Sequence, residues 1–150
     1  MRMNGLKERI KDDMVQAMRA KDKDRLGVIR MLQAAIKQRE VDERITLDDT
    51  QIIAIVEKMI KQGRESAKQF TEGDRSDLAT KELQEIAILE TYMPTPLSED
   101  ELNSLITATI KTLAASSIKD MGKVMNSLKD QVQGRANMAD VSNRIKQRLS

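Results

Sequence analysis

Apolar residues recur three and four positions apart along nearly the whole chain, the spacing that builds a stripe on one side of an α-helix. Leu6, Ile10, Met14, Ala17 and Met18 predict a first helix over about residues 3–20. Leu26, Ile29, Leu32, Ala35 and Ile36 predict a second, after the break at Ala20-Lys21-Asp22-Lys23-Asp24. The polar stretch Val41-Asp42-Glu43-Arg44 leads to Thr46-Leu47-Asp48-Asp49, read as a helix-opening box in which the Thr46 hydroxyl accepts from a free amide. A third helix follows on Ile52, Val56, Met59 and Ile60, runs to Phe70 and stops at Gly73. Asp74 is expected to start a fourth, carrying Leu78, Leu83, Ile86, Leu89 and Met93.

Met93-Pro94-Thr95-Pro96-Leu97 is the clearest boundary, because two prolines bias this stretch away from helix. Ser98-Glu99-Asp100-Glu101 then matches a capping box. It opens a fifth helix on Leu102, Leu105, Ile106, Ile110 and Leu113. Ser117-Ile118-Lys119-Asp120 opens a sixth, with Met121, Val124, Met125 and Leu128, which Gly134 ends. Asn137 caps a seventh, with Met138, Val141, Ile145 and Leu149. The expected fold class is therefore all-α: a four-helix N-terminal domain over residues 1–95 and a small three-helix tail domain over residues 96–150.

Composition narrows the chemistry. With one Phe, one Tyr and no Trp among 150 residues, the core must be aliphatic, helped by ten Met. Met14, Met18, Met59, Met121 and Met125 fall on core faces. No Cys and no His are present, which excludes disulfides, thiolate metal sites and the usual general base. The isolated glycines form no phosphate-binding loop. Acid pairs such as Asp48-Asp49 and Glu82/Glu85 read as helix-start and solvated-face residues, not as catalytic or metal-binding groups. No cofactor, no metal and no catalytic residue is expected. No apolar run reaches the ~20 residues of a membrane span, and Met1–Ile10 lacks the apolar core of a secretory signal, so a cytoplasmic location and no membrane partner are expected.

Charge is laid out in blocks. Residues 1–40 hold 11 Lys/Arg against 6 Asp/Glu, residues 41–100 hold 7 against 14, and residues 101–150 hold 8 against 4. The blocks are thus +5, −7 and +4 within a net charge of +2. Lys23, Arg30 and Lys37, seven residues apart, share one face of the second helix. Across residues 118–150, Lys119, Lys123, Lys129, Arg135, Arg144, Lys146 and Arg148 stand against Asp120, Asp130 and Asp140. Such a patch suits phosphates. Solvated lysines balancing an acidic middle are the more ordinary explanation of the same pattern, because charge runs on helices usually serve solubility. Without stacking aromatics, any nucleic acid would be read by backbone and shape, as in a folded RNA, and DNA is not the expected partner.

Several strings in fixed order are more specific than any of these signals. They are Ala17-Met18-Arg19-Ala20-Lys21-Asp22, Ile29-Arg30-Met31-Leu32, Ala34-Ala35-Ile36-Lys37-Gln38, Val41-Asp42-Glu43-Arg44, Leu89-Glu90-Thr91-Tyr92-Met93-Pro94 and Met121-Gly122-Lys123-Val124-Met125. Together they closely resemble the YqeY-like proteins of the GatB/YqeY family, over essentially the whole chain. The resemblance implies a helical domain followed by a smaller helical tail. The same region is similar to the C-terminal part of the GatB polypeptide of glutamine-dependent aspartyl/glutamyl-tRNA amidotransferase, whose tail is understood to contact tRNA. It points to a non-catalytic tRNA-interacting accessory module, with Lys123 and Arg135 as the leading contacts, Lys119 and Lys129 next, and Arg144 and Lys146 beside them. Lys23, Arg30 and Lys37 form a possible second basic face. The alternatives are a protein-interaction adaptor in translation and an accessory part of a carbon–nitrogen ligase using glutamine as amido-N-donor. The large catalytic portion of that ligase has no counterpart here, so none of its chemistry is assigned to a residue.

Overall fold

The computed structural model describes residues 5–150, so Met3 and Asn4 of the expected first helix lie outside the described residues. The fold is all-α, with seven α-helices and no strand among the described residues. They are α1 (Leu6–Arg19), α2 (Lys23–Glu43), α3 (Asp49–Glu72), α4 (Ser76–Glu90), α5 (Glu99–Leu113), α6 (Met121–Val132) and α7 (Met138–Leu149), with a 3₁₀ turn, Ile118–Asp120, before α6. Two compact units divide at Met93 and Pro94.

The first unit closes around Ile10 of α1, Ile29 and Leu32 of α2, and Ile52 and Val56 of α3, all at most 1% exposed. Ile86 and Leu89 of α4 complete this core. The most extensive helix pairing is α3 on α4, and Gly63 permits it. A Cβ placed there would lie 3.0 Å from Ile86 Cγ1 and 3.2 Å from Cδ1. That closeness gives a reason for a residue that costs a helix interior ~1 kcal/mol relative to Ala. Tyr92, just past α4, is buried and ties the two ends of the unit together. Its hydroxyl donates to Asp13 at 2.7 Å, and Arg9 stacks 5.0 Å from its ring centroid while donating to the Thr91 carbonyl at 2.6 Å. Burial first, and the Asp13 bond second, push the phenol pKa up. On α2, Glu40 accepts from Lys7 at 2.6 Å and from the Leu47 amide at 2.9 Å. The Lys7 bond, then the Leu47 amide, hold this carboxyl below its ordinary range.

The second unit packs Ile106 of α5, Val124, Leu128 and Val132 of α6, and Val141 and Ile145 of α7 into a core that excludes solvent completely at these six positions. Its caps follow the sequence. Ser98 and Glu101 form the reciprocal box on α5, Gly134 takes a left-handed φ of 74° after α6, and the Asn137 side chain accepts from the Ala139 and Asp140 amides.

Several expectations need correction. Asp48, not Thr46, opens α3: its carboxylate accepts from the Gln51 amide at 2.8 Å, and the Gln51 side chain accepts from the Asp48 amide. Thr46 stands two residues too early, because Leu47 must first turn into the core, where it is 5% exposed. The helix α2 continues through the polar stretch to Glu43, and Arg44 ends it in the left-handed region. Gly73 closes α3 at φ −91°. The left-handed residue is Asp74, with φ 59°, a conformation that Asp tolerates better than most L-residues. Asp74 therefore does not start α4, which begins at Ser76 without a side-chain cap. Met18 is 49% exposed and Leu83 55% exposed. Met18 lies one residue, or 100°, past buried Ala17, and so turns off the core stripe.

Candidate nucleic-acid interface

The tail's cations divide into two kinds. Arg135 and Arg144 are held by their own unit. The Arg135 guanidinium donates to the Thr95 carbonyl at 2.8 Å, and its carbonyl accepts from the Leu97 amide at 2.8 Å. Together these bonds fix the proline segment against the end of α6. Arg144 donates to Glu99 at 3.1 Å, to Asp140 at 3.0 Å and to Asn103 at 2.9 Å, which joins α7 to α5. Its bonds to Glu99, then Asp140, raise its pKa further. Both residues are half-buried.

Lys119, Lys123, Lys129 and Lys146 are the other kind. All four are exposed, and none forms an ion pair among the described residues. Lys119 sits in the 3₁₀ turn, Lys123 and Lys129 on α6, and Lys146 on α7. Lys123 and Lys129 are six residues apart, so they diverge by about 120° around the α6 axis and flank its buried row.

Four tail carboxylates are meanwhile engaged. Glu99 and Asp140 hold Arg144. Glu101 is lowered in pKa by the Ser98 amide. Asp120 is lowered by the Ser116 and Ser117 amides, at 2.9 and 3.3 Å. The four lysines form no ion pair among the described residues, although Lys123 acts through space on Asp120. Arg148, also exposed, borders a polar recess of about 310 Å³ with Asn103, Arg144 and Gln147.

On α2, Lys23, Arg30 and Lys37 are all exposed. Fourteen residues at 1.5 Å each make this a stripe of about 21 Å along one helix face. Lys37 also borders a cleft between α1 and α2 of about 420 Å³, floored by Ile10 and Ile36. The internal roles of Arg135 and Arg144 had little local signal, since Thr95, Asn103 and Glu99 lie 40, 41 and 45 residues away in sequence. Only the Asp140–Arg144 pair, four residues apart, is readable from spacing. No group of three or more metal-ligating side chains gathers among the described residues.

The fold and its surface define an all-helical protein of two small units that carries exposed clusters of charge. The Yqey-like protein family model matches residues 7–149, and the chain belongs to that family. It is similar to Altered inheritance of mitochondria protein 41, mitochondrial, from several fungi. The Pyrenophora tritici-repentis protein is 29% identical over 131 residues, covering 85% of this chain and 71% of that protein. The Eremothecium gossypii protein is 39% identical over 85 residues, 56% of this chain and 46% of that protein. The Candida glabrata protein is 32% identical over 112 residues, 71% of this chain and 61% of that protein. Several of these matches thus span only about half of the relative's length. Their names place these relatives in mitochondria, and this overturns the cytoplasmic location expected from the sequence.

Proposed function

We propose that this chain is a non-catalytic accessory module that contacts a folded RNA, of the tRNA kind, through phosphates. The observation that carries the reading is the set of exposed, unpaired lysines, Lys119, Lys123, Lys129 and Lys146, beside carboxylates that are already engaged within the unit. The Lys23/Arg30/Lys37 stripe offers a second phosphate-binding surface. Arg135 and Arg144 support this surface by fixing the tail, so the lysines replace Arg135 as leading contacts. Lysine ammoniums on helix surfaces grip phosphates as point charges and release condensed counterions.

Binding of purified protein to total tRNA, against duplex DNA of similar charge over a salt series, tests this. Changing all four lysines to Ala is expected to weaken tRNA binding and to reduce the salt slope by at most about four counterions. Unchanged affinity, or equal binding to duplex DNA that vanishes with salt, refutes the reading. An accessory role beside a glutamine-using carbon–nitrogen ligase predicts faster amidation when the chain is added to a complete amidotransferase.

A further inference from the structure

A crevice in the first unit lies where α2, α3 and α4 meet. Its floor is apolar, made by Ile86 and by the Cβ-less surface of Gly63, and Met31 and Met59 form its walls. Its volume is about 150 Å³, enough for one long side chain. Glu82 and Glu85 project from α4 into its lining, and both are half-buried. Neither forms an ion pair with a described residue, and no hydrogen bond neutralises either one. From α2, Asp24 adds to the negative field at Glu85, and Lys81 of α4 opposes it. The α3 groups that line the crevice beside Met59, Gln62 and Ser66, are neutral.

Two half-desolvated carboxylates over an apolar floor fit one chemistry well. A bare metal ion finds no third ligand, since no group of three such side chains gathers among the described residues. A neutral apolar side chain would leave both carboxylates further desolvated and unpaired, which is costly. A lysine or arginine side chain satisfies both features, with its methylene stem on the apolar wall and its charged head between the carboxylates. Arginine suits the pair best, because its planar fork reaches two acceptors at once. Unbranched methionines let the walls adjust to such a stem. We infer that the α2–α3–α4 crevice is a docking site for an arginine or lysine side chain presented by a basic segment of a partner protein. The crevice belongs to the first unit and the tail lysines assigned to RNA to the second, while the Lys23/Arg30/Lys37 stripe shares α2 with the crevice.

The test uses the full chain and a short peptide carrying arginines, beside the same peptide with citrulline in their place. Methyl signals of labelled methionines report the site. The arginine peptide is expected to shift Met31 and Met59 saturably and to leave Met121 and Met125 unmoved. The double variant Glu82→Gln/Glu85→Gln is expected to bind at least tenfold more weakly, with Glu65→Gln, an exposed acid of α3, within twofold of the parent. Equal binding of the citrulline peptide, an unaffected double variant, or shifts spread to the tail methionines would each overturn the proposal. Gln keeps the volume of Glu and removes repulsion, so the double variant is expected to fold. Its tRNA binding is expected to be unchanged, which separates this result from the RNA reading.

Discussion

The two units engage their charged residues in different ways. In the first, arginines reach inward to the chain: Arg9 to Thr91 and Tyr92, and Arg25 to Asp13 at 3.6 Å. The carboxylates Glu82 and Glu85 are left over a crevice without an ion pair to a described residue. In the second, Arg144 and the helix caps engage Glu99, Glu101, Asp120 and Asp140, and Lys119, Lys123, Lys129 and Lys146 form no ion pair among the described residues. Net charge alone would describe the first unit as neutral, with 18 Lys/Arg against 18 Asp/Glu, and the second as mildly basic, with 8 against 6. What a partner meets is where the unengaged groups lie, and totals do not record that.

The sharpest way to break the comparison is to remove the same volume from each core. Leu128→Ala and Leu32→Ala both delete a side chain with no exposed surface, at about 3 kcal/mol each. A unit as small as Pro94–Ser150 has little stability to lose. Hydrogen exchange is expected to show the tail amides unprotected in Leu128→Ala, and the first unit weakened but protected in Leu32→Ala. Equal loss in both units from either change would mean they unfold as one.

Tyr92→Phe is a smaller perturbation confined to the first unit. It leaves the partly buried Asp13 without the hydroxyl's bond and should cost about 1–2 kcal/mol in urea unfolding. An effect near zero would show that Arg25 alone satisfies Asp13. In the tail, Ala114 sits in the left-handed region at φ 53°, which costs an L-residue about 1–2 kcal/mol. Ala114→Gly is expected to raise the melting temperature, with a net gain of about 1 kcal/mol after glycine's entropy. A lower melting temperature would contradict that strain.

The smallest expected effect is electrostatic. Desolvation first, then Glu82, raises the Glu85 pKa. A raised carboxylate favours folding below its ordinary pKa of about 4.3, and that contribution is lost as pH rises through the folded value. Glu85→Gln should therefore be slightly more stable than the parent at neutral pH. The difference should vanish as pH falls below about 4. A constant difference across pH would point to packing instead of charge.

Much of this was legible in local sequence, because caps and core stripes are local. Ser98, Gly134 and Asn137 act within four residues of themselves, and periodicity alone identifies Ile29, Ile52, Leu128 and Ile145 as core. The box at Thr46 was misread because both Thr46 and Asp48 are good caps, and the choice was made by the depth at which Leu47 inserts. Left-handed Asp74 and Ala114 are set by where the next helix must go, which no spacing records. For the candidate interface, residue types revealed the cations but not which were free. Arg135 and Arg144 find partners about forty residues away, and only the folded chain brings those together.

Tyr92 has a practical consequence. It is the chain's one tyrosine, and there is no tryptophan. Buried at 3% exposure in the first unit and bonded to a carboxylate, it gives that unit an intrinsic fluorescence reporter that the tail lacks. Emission therefore follows one unit, while far-ultraviolet ellipticity sums the helices of both. A single melting experiment recorded by both signals distinguishes joint from separate unfolding with no label and no mutation.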